Sequence, residues 1–184
     1  MRRAILPADD DFDAWRDAAR ALIAEGVPPE GVSWQVGDAA TDLFAGEAGE
    51  RAPSVAASSL RVPRAFVDLA RDAILADDPA RFALLYTMLW RLRDTPKLAE
   101  DRADPLVRRI DGLARAVRHD IHKMRAFVRF RELDEGDGPR FIAWFEPDHH
   151  IVRANAGFFT RRFASMRWSI LTPEVSIHWD GEKL

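Results

Sequence analysis

His119-Asp-Ile-His-Lys-Met-Arg-Ala-Phe-Val-Arg-Phe-Arg-Glu132 and its continuation Phe141-Ile-Ala-Trp-Phe-Glu-Pro-Asp-His-His150 decide how the chain is read. The first string starts with helical spacing and ends with a period of two. It predicts a helix that gives way to a strand over Phe127–Leu133, with Val128, Phe130 and Glu132 on one face and Phe127, Arg129 and Arg131 on the other. Asp134-Glu-Gly-Asp-Gly138 is rich in residues that tolerate positive φ, so a turn is expected there. Phe141–Phe145 then returns antiparallel. Pro147-Asp148 opens a further helix, with Asp148 as a natural cap and Ile151, Val152, Ala156, Phe159 and Phe163 near one face.

Upstream, the helix beginning near Asp104-Pro105 can be placed by angle. At about 100° per residue, Leu106, Ile110, Leu113, Val117, Ile121 and Met124 fall within about 80° of one another and form a core stripe. Arg108, Arg115, Arg118, His119, His122 and Arg125 fall on the opposite side, a basic face. Downstream, Met166–Leu171 and Val175–Trp179 predict a second hairpin turning at Thr172-Pro173-Glu174.

The N-terminal part reads as β-α-β. Residues 3–7 form a short edge strand, and Asp9–Asp11 cap a helix over 10–25 carrying Phe12, Trp15, Ala19, Leu22 and Ile23. Gly26 ends that helix, and Val32, Trp34 and Val36 alternate as a strand. Residues 37–60, rich in Gly, Ala, Ser and acids, read as a linker or flexible loop. Pro63 starts a helix bearing Phe66, Leu69, Ala70, Ala73 and Ile74. Asp77-Asp78-Pro79 ends it and caps the next, which runs to about Arg93. The expected architecture is α+β, helices packed on a small antiparallel sheet, as a single domain over 1–184.

Composition narrows the function classes. With no cysteine, the chain has no disulfide, thiolate nucleophile, cysteine-bound zinc or iron–sulfur cluster. No apolar run has the length of a membrane span, and Arg2-Arg3 lacks the long apolar core of an export signal, so a cytoplasmic protein is expected. The net charge of −3 conceals an asymmetry: residues 1–60 carry −6, 61–101 carry 0, 102–133 carry +5 and 134–184 carry −2. A local basic patch of this kind steers polyanions even when the whole chain is mildly acidic.

The basic and aromatic residues around the deciding stretch are therefore the first candidates for a nucleic-acid surface: Arg115, Arg118, His122, Lys123, Arg125, Arg129 and Arg131, joined by Arg161, Arg162 and Arg167. Cations hold phosphates, and Phe127, Trp168 or Trp179, if exposed, would stack bases. The competing reading salt-bridges these arginines to the acidic segments and places Trp144 and Trp168 in the core. A second candidate is a polar site of His119, Glu146, Asp148, His149, His150 and His178 for acid–base chemistry, with His119 and His122 at a spacing that also suits a metal. No recognised metal pattern is present, so neither a metal nor a cofactor is assigned. His178 and Asp180 flank Trp179 and are expected to form a hydrogen-bonded pair. No phosphate-binding glycine loop or nucleophile elbow occurs.

Three strings taken together, 119–132, Ala143-Trp-Phe-Glu-Pro-Asp-His-His150, and Met166-Arg-Trp-Ser-Ile-Leu-Thr-Pro173 leading to His178-Trp-Asp-Gly181, resemble a bacterial family of unknown function labelled "probable DNA metabolism protein". Asp11-Phe-Asp-Ala-Trp-Arg-Asp-Ala-Ala-Arg20 and Arg61-Val-Pro-Arg-Ala-Phe66 fit the same family. The resemblance implies a member that stands alone, beside a radical-SAM DNA repair or modification protein, or one that precedes a fused uracil-DNA glycosylase-like domain. Such a glycosylase activity would lie in a C-terminal domain beyond these residues, and no catalytic residue is transferred. The resulting expectation is an accessory DNA-repair domain that binds DNA, or docks a repair enzyme on it, through the basic 115–131 surface. Two alternatives stand beside it: an enzyme using the His, Asp and Glu residues of 119–150, with or without a metal, and a protein-interaction module without nucleic-acid contact.

Overall fold

The computed structural model describes residues 1–37, 61–134 and 138–184. The expected linker, 37–60, lies outside them apart from Gly37. The chain divides into two compact units, Met1–Arg115 and Ala116–Leu184.

In the first unit, strands β1 (Arg2–Leu6) and β2 (Val32–Val36) pair in parallel, Arg2 beside Val32 and Leu6 beside Val36, with helix α1 (Phe12–Ala24) between them. This is the β-α-β passage the sequence predicts. Local chemistry bounds α1 at both ends. Asp11 Oδ1 accepts the Ala14 N–H at 2.8 Å. At the other end Gly26 takes φ +70°, and Val27 N–H and Gly26 N–H bond the carbonyls of Leu22 and Ile23, each at 3.0 Å, which closes the last turn.

Helices α2 (Arg64–Ala73) and α3 (Arg81–Arg91) follow. Asp78 Oδ1 accepts the Ala80 N–H, but α3 itself begins at Arg81, two residues beyond the expected Pro79 start. Phe12, Trp15 and Trp34 follow one another at 6.0–6.2 Å between centroids, and Trp34 meets both Phe82 at 6.2 Å and Tyr86 at 5.8 Å, with Trp90 beyond Tyr86 at 6.4 Å. The Tyr86 hydroxyl donates to Val27 O at 2.6 Å, and burial pushes its pKa up to about 12. Arg81 is buried and satisfied by the carbonyls of Ile74 and Asp78 and by the Asp9 carboxylate, so its charge is not left unpaired.

Helix α4 (Pro105–Phe127) starts where Asp104 Oδ1 accepts the N–H groups of Leu106 and Val107. Arg91 holds the Asp104 carboxyl below the usual carboxylate range. Of the expected stripe, Ile110, Val117 and Met124 are buried, while Leu106, Leu113 and Ile121 are half-buried. Val107, Ala114 and Asp120 are buried in their place. All three fall in or beside the same arc, so the buried sector is wider than the stripe of large apolar residues and takes in one carboxylate.

The second unit contains the end of α4, β3 (Arg131–Asp134), β4 (Pro139–Trp144), α5 (Val152–Arg162), β5 (Trp168–Leu171) and β6 (Ile177–Trp179). The helix persists to Phe127, so β3 begins four residues later than the period-two pattern implies. Four strands form one sheet in the order β3-β4-β5-β6. The α+β class is as expected, but the sheets are not purely antiparallel. The β3–β4 and β5–β6 hairpins are antiparallel, while β4 and β5 pair in parallel across the α5 crossover, Phe141 beside Trp168 and Trp144 beside Leu171. The parallel pairs here and in β1–β2 need a helix-length connection, which both α1 and α5 provide.

Register assigns the two faces of this sheet. Ala143, Trp168, Ile170 and Ile177 share a buried face, where Phe159 of α5 meets Trp168 with centroids 6.2 Å apart. Arg131, Leu133, Arg140, Ile142, Trp144, Ser169 and His178 share the other.

Candidate nucleic-acid interface

In the second unit, Arg118, His119, His122 and Arg125 all lie on the exposed side of α4, as their angles require. Phe127 at the helix end, and Arg129 and Arg131 beyond it, are exposed as well. Phe127 is 66 % exposed, an unusual position for a phenyl ring. Arg125 is anchored despite its exposure. Its Nε donates to Asn155 Oδ1 at 2.8 Å, and its guanidinium lies 4.8 Å from the Phe158 ring centroid. Asn155 is itself fully buried and donates to Met124 Sδ at 3.2 Å, so Arg125 is oriented by the core beneath it. Arg129 Nη1 donates to the carbonyls of Ala126 and Val128, groups that the helix end would otherwise leave unsatisfied.

Not every cation on the expected surface is equally available. Lys123 Nζ is 2.7 Å from Asp148 Oδ2, which raises the pKa of the amine and holds the Asp148 carboxyl below its usual range. Arg115 belongs to the first unit and pairs with Asp111 at 3.2 Å. Arg161 and Arg162 are exposed in the last turn of α5, where cations complement the helix dipole. Arg167 reaches back to Gly138 O at 3.1 Å. Among the aromatics proposed for stacking, Trp168 is fully buried, and half-buried Trp179 donates to Ala164 O. Trp144, which composition places in the core, is 58 % exposed, because β4 pairing turns it to the uncovered side of the sheet.

Asp120 is the residue that sequence reasoning missed. It lies on the buried arc of α4 between Val117 and Met124 and is only 2 % exposed. Its Oδ2 accepts the backbone N–H groups of Asp148 at 2.8 Å and His149 at 3.0 Å. Its Oδ1 accepts no hydrogen bond from a described residue, and Lys123 Nζ stands 3.9 Å from it. Burial raises the Asp120 pKa. The Asp148 amide opposes that rise, the Asp148 charge adds to it, and Lys123 and His149 oppose it. The one available signal was a carboxylate at an apolar position of the helical repeat. The bend it holds displaces the expected helix start. Helix α5 begins at Val152 rather than at Pro147-Asp148, with no side-chain cap, and the Asp148 side chain turns to Lys123 instead of capping.

The polar residues proposed as a second site are distributed among separate partners. Glu146 Oε1 accepts the Trp144 indole N–H at 2.9 Å. His150 Nδ1 is 3.5 Å from Glu174 Oε2. His178 Nδ1 is 2.8 Å from Ser169 Oγ, not paired with Asp180, whose carboxylate accepts the backbone N–H groups of Glu182 and Lys183. His119 and His149 act on Asp148 through charge. Among the described residues, no three His, Asp or Glu side chains gather closely enough to hold a metal ion. No described helix is long and apolar enough to cross a membrane.

Residues 79–180 match a family described as a domain of unknown function, DUF4130. The matched span runs from the turn before α3 through β6 and takes in the α4 surface, the Asp120 clasp and the four-stranded sheet. No curated protein and no solved structure matches the chain.

Proposed function

The chain belongs to the DUF4130 family, a domain of unknown function, and on that premise we propose that it is an accessory DNA-binding module of DNA metabolism. Its contact surface would be the exposed end of α4 and the passage into β3. The observation that carries this reading is the exposure of Arg118, His119, His122 and Arg125 on one side of α4 while its other side is buried, with Phe127, Arg129 and Arg131 exposed at and beyond the helix end. Such a run supplies cations for phosphates and a ring for stacking, within the segment of 102–133 that carries +5. Anchoring of Arg125 on Asn155 and Phe158 lowers the entropy lost when it meets a ligand. Lys123, committed to Asp148, contributes less. Asp120 acts indirectly, by holding the 148–149 backbone where Asp148 can neutralise Lys123.

Within this proposal the partner is a DNA repair or modification enzyme, either a uracil-DNA glycosylase-like domain or a radical-SAM protein, and the module tethers it to DNA. The test is the salt dependence of fluorescein-labelled DNA binding by the whole chain. Affinity should fall steeply with salt, and the double variant Arg118→Glu/Arg129→Glu should weaken binding about 10-fold or more across sequences with a shallower salt slope. Absence of binding at low ionic strength, or an unchanged slope in the double variant, overturns the proposal.

A further inference from the structure

We infer that the uncovered face of the four-stranded sheet is a stacking platform for unpaired nucleobases, so that the DNA this module takes is single-stranded. This deepens the function proposed above and rests on it, because the platform adjoins that surface through Arg131. The two faces of the sheet are sharply unequal. One carries Ala143, Trp168, Ile170 and Ile177, all buried. The other sets exposed Trp144 at the end of β4, exposed Leu133 and Arg131 on β3 and exposed His178 on β6, around half-buried Ile142, Arg140 and Leu171 and buried Ser169. Trp144 is 58 % exposed and Leu133 45 % exposed, so large apolar groups are presented on this side.

The chemistry of that face selects its occupant. Within the strand bounds no acidic side chain projects to this side among the described residues, although just past β4 the Glu146 carboxylate meets the Trp144 edge. Arginines stand on β3 and β4, and Arg167, whose guanidinium reaches Gly138 O, precedes β5 beside Arg140. Trp144 at one end of β4, with Ile142 and Arg131 in the next row, complements a nucleic-acid strand, a base against the indole and phosphates toward the arginine. The Trp144 indole is held at its edge, where Nε1 donates to Glu146 Oε1 at 2.9 Å. His178 is likewise fixed by Ser169 Oγ at 2.8 Å. A duplex encloses the faces of its bases in its own stack, so a flat platform of this kind can engage them only in a single strand.

The experiment is fluorescence anisotropy with labelled oligo(dT) and, separately, a labelled duplex, each titrated with the whole chain, Trp144→Ala and Trp144→Phe. The unaltered chain should favour the single strand. Trp144→Ala should weaken oligo(dT) binding about 5- to 100-fold while changing duplex binding less than about twofold, and Trp144→Phe should restore most of the loss. Because Trp144 is exposed, circular dichroism of both variants should match the unaltered chain. If Trp144→Ala leaves oligo(dT) binding unchanged, or weakens both forms equally, while Arg118→Glu/Arg129→Glu still reduces binding, the platform is refuted and the basic surface stands. If neither DNA binds the unaltered chain, both proposals fall.

Discussion

Two helices in this chain carry a parallel strand crossing, and they are set in place by different means. Helix α1 between β1 and β2 is bounded by its own neighbours in sequence. Asp11 caps its start three residues from the amide it serves, and Gly26 closes its end. Helix α5 between β4 and β5 has no side-chain cap. The bend that leads into it, 148–150, is held by the Asp120 carboxylate on α4, 28 residues from the first amide it binds. The contrast separates local from tertiary control. A capped helix start forms with its own segment, whereas a clasped one needs α4 and the β4 end already together.

The two helix starts differ most at Asp120. Asp120→Ala should lower unfolding free energy by about 2 kcal/mol, since two partly buried amides lose a charged acceptor. Denaturant titration gives the magnitude, and hydrogen exchange should quicken at Asp148 and His149. A loss smaller than that of Asp11→Ala would put the two helix starts on the same footing. Asp11→Ala should itself cost about 1 kcal/mol. Gly26→Ala should cost a similar amount, about 1 kcal/mol, because φ +70° strains any residue with a Cβ.

A smaller effect should appear in pH dependence. Asp120 has its pKa raised above the ordinary 3.8, chiefly by burial, so the folded state holds this proton more tightly than the unfolded state. Ionisation therefore costs stability as pH rises above that value, and stability returns as pH falls. The unaltered chain should gain stability relative to Asp120→Asn when denaturant titrations at neutral pH are repeated at acidic pH. An unchanged difference between the two proteins would show that the buried carboxylate does not titrate in this window. The smallest change belongs to Lys123→Ala. Its partner Asp148 is largely exposed, so thermal unfolding should barely shift.

The candidate surface on α4 was legible in part. The angles of Arg118, His122 and Arg125 predict their exposure because helical geometry is local, and the structure leaves them exposed. The exposure of Trp144 was not legible. A tryptophan in an apolar run reads as core, and only pairing of β4 with both β3 and β5 decides which face it takes. His178 was likewise assigned to Asp180 by proximity along the strand, whereas cross-strand register gives it Ser169.

By itself the sequence determined the helices and hairpins whose signals lie within a few residues. These include the Asp11 and Asp104 caps, the Gly26 stop, the exposed basic side of α4 and the turn before β6. Tertiary structure alone decided the parallel pairing of β4 with β5, the exposure of Trp144 and the clasp of Asp120 on the 148–149 backbone. The physical reason is range. Caps and turns satisfy backbone groups from adjacent side chains, while sheet order and a buried carboxylate find their partners only after distant segments have closed on one another.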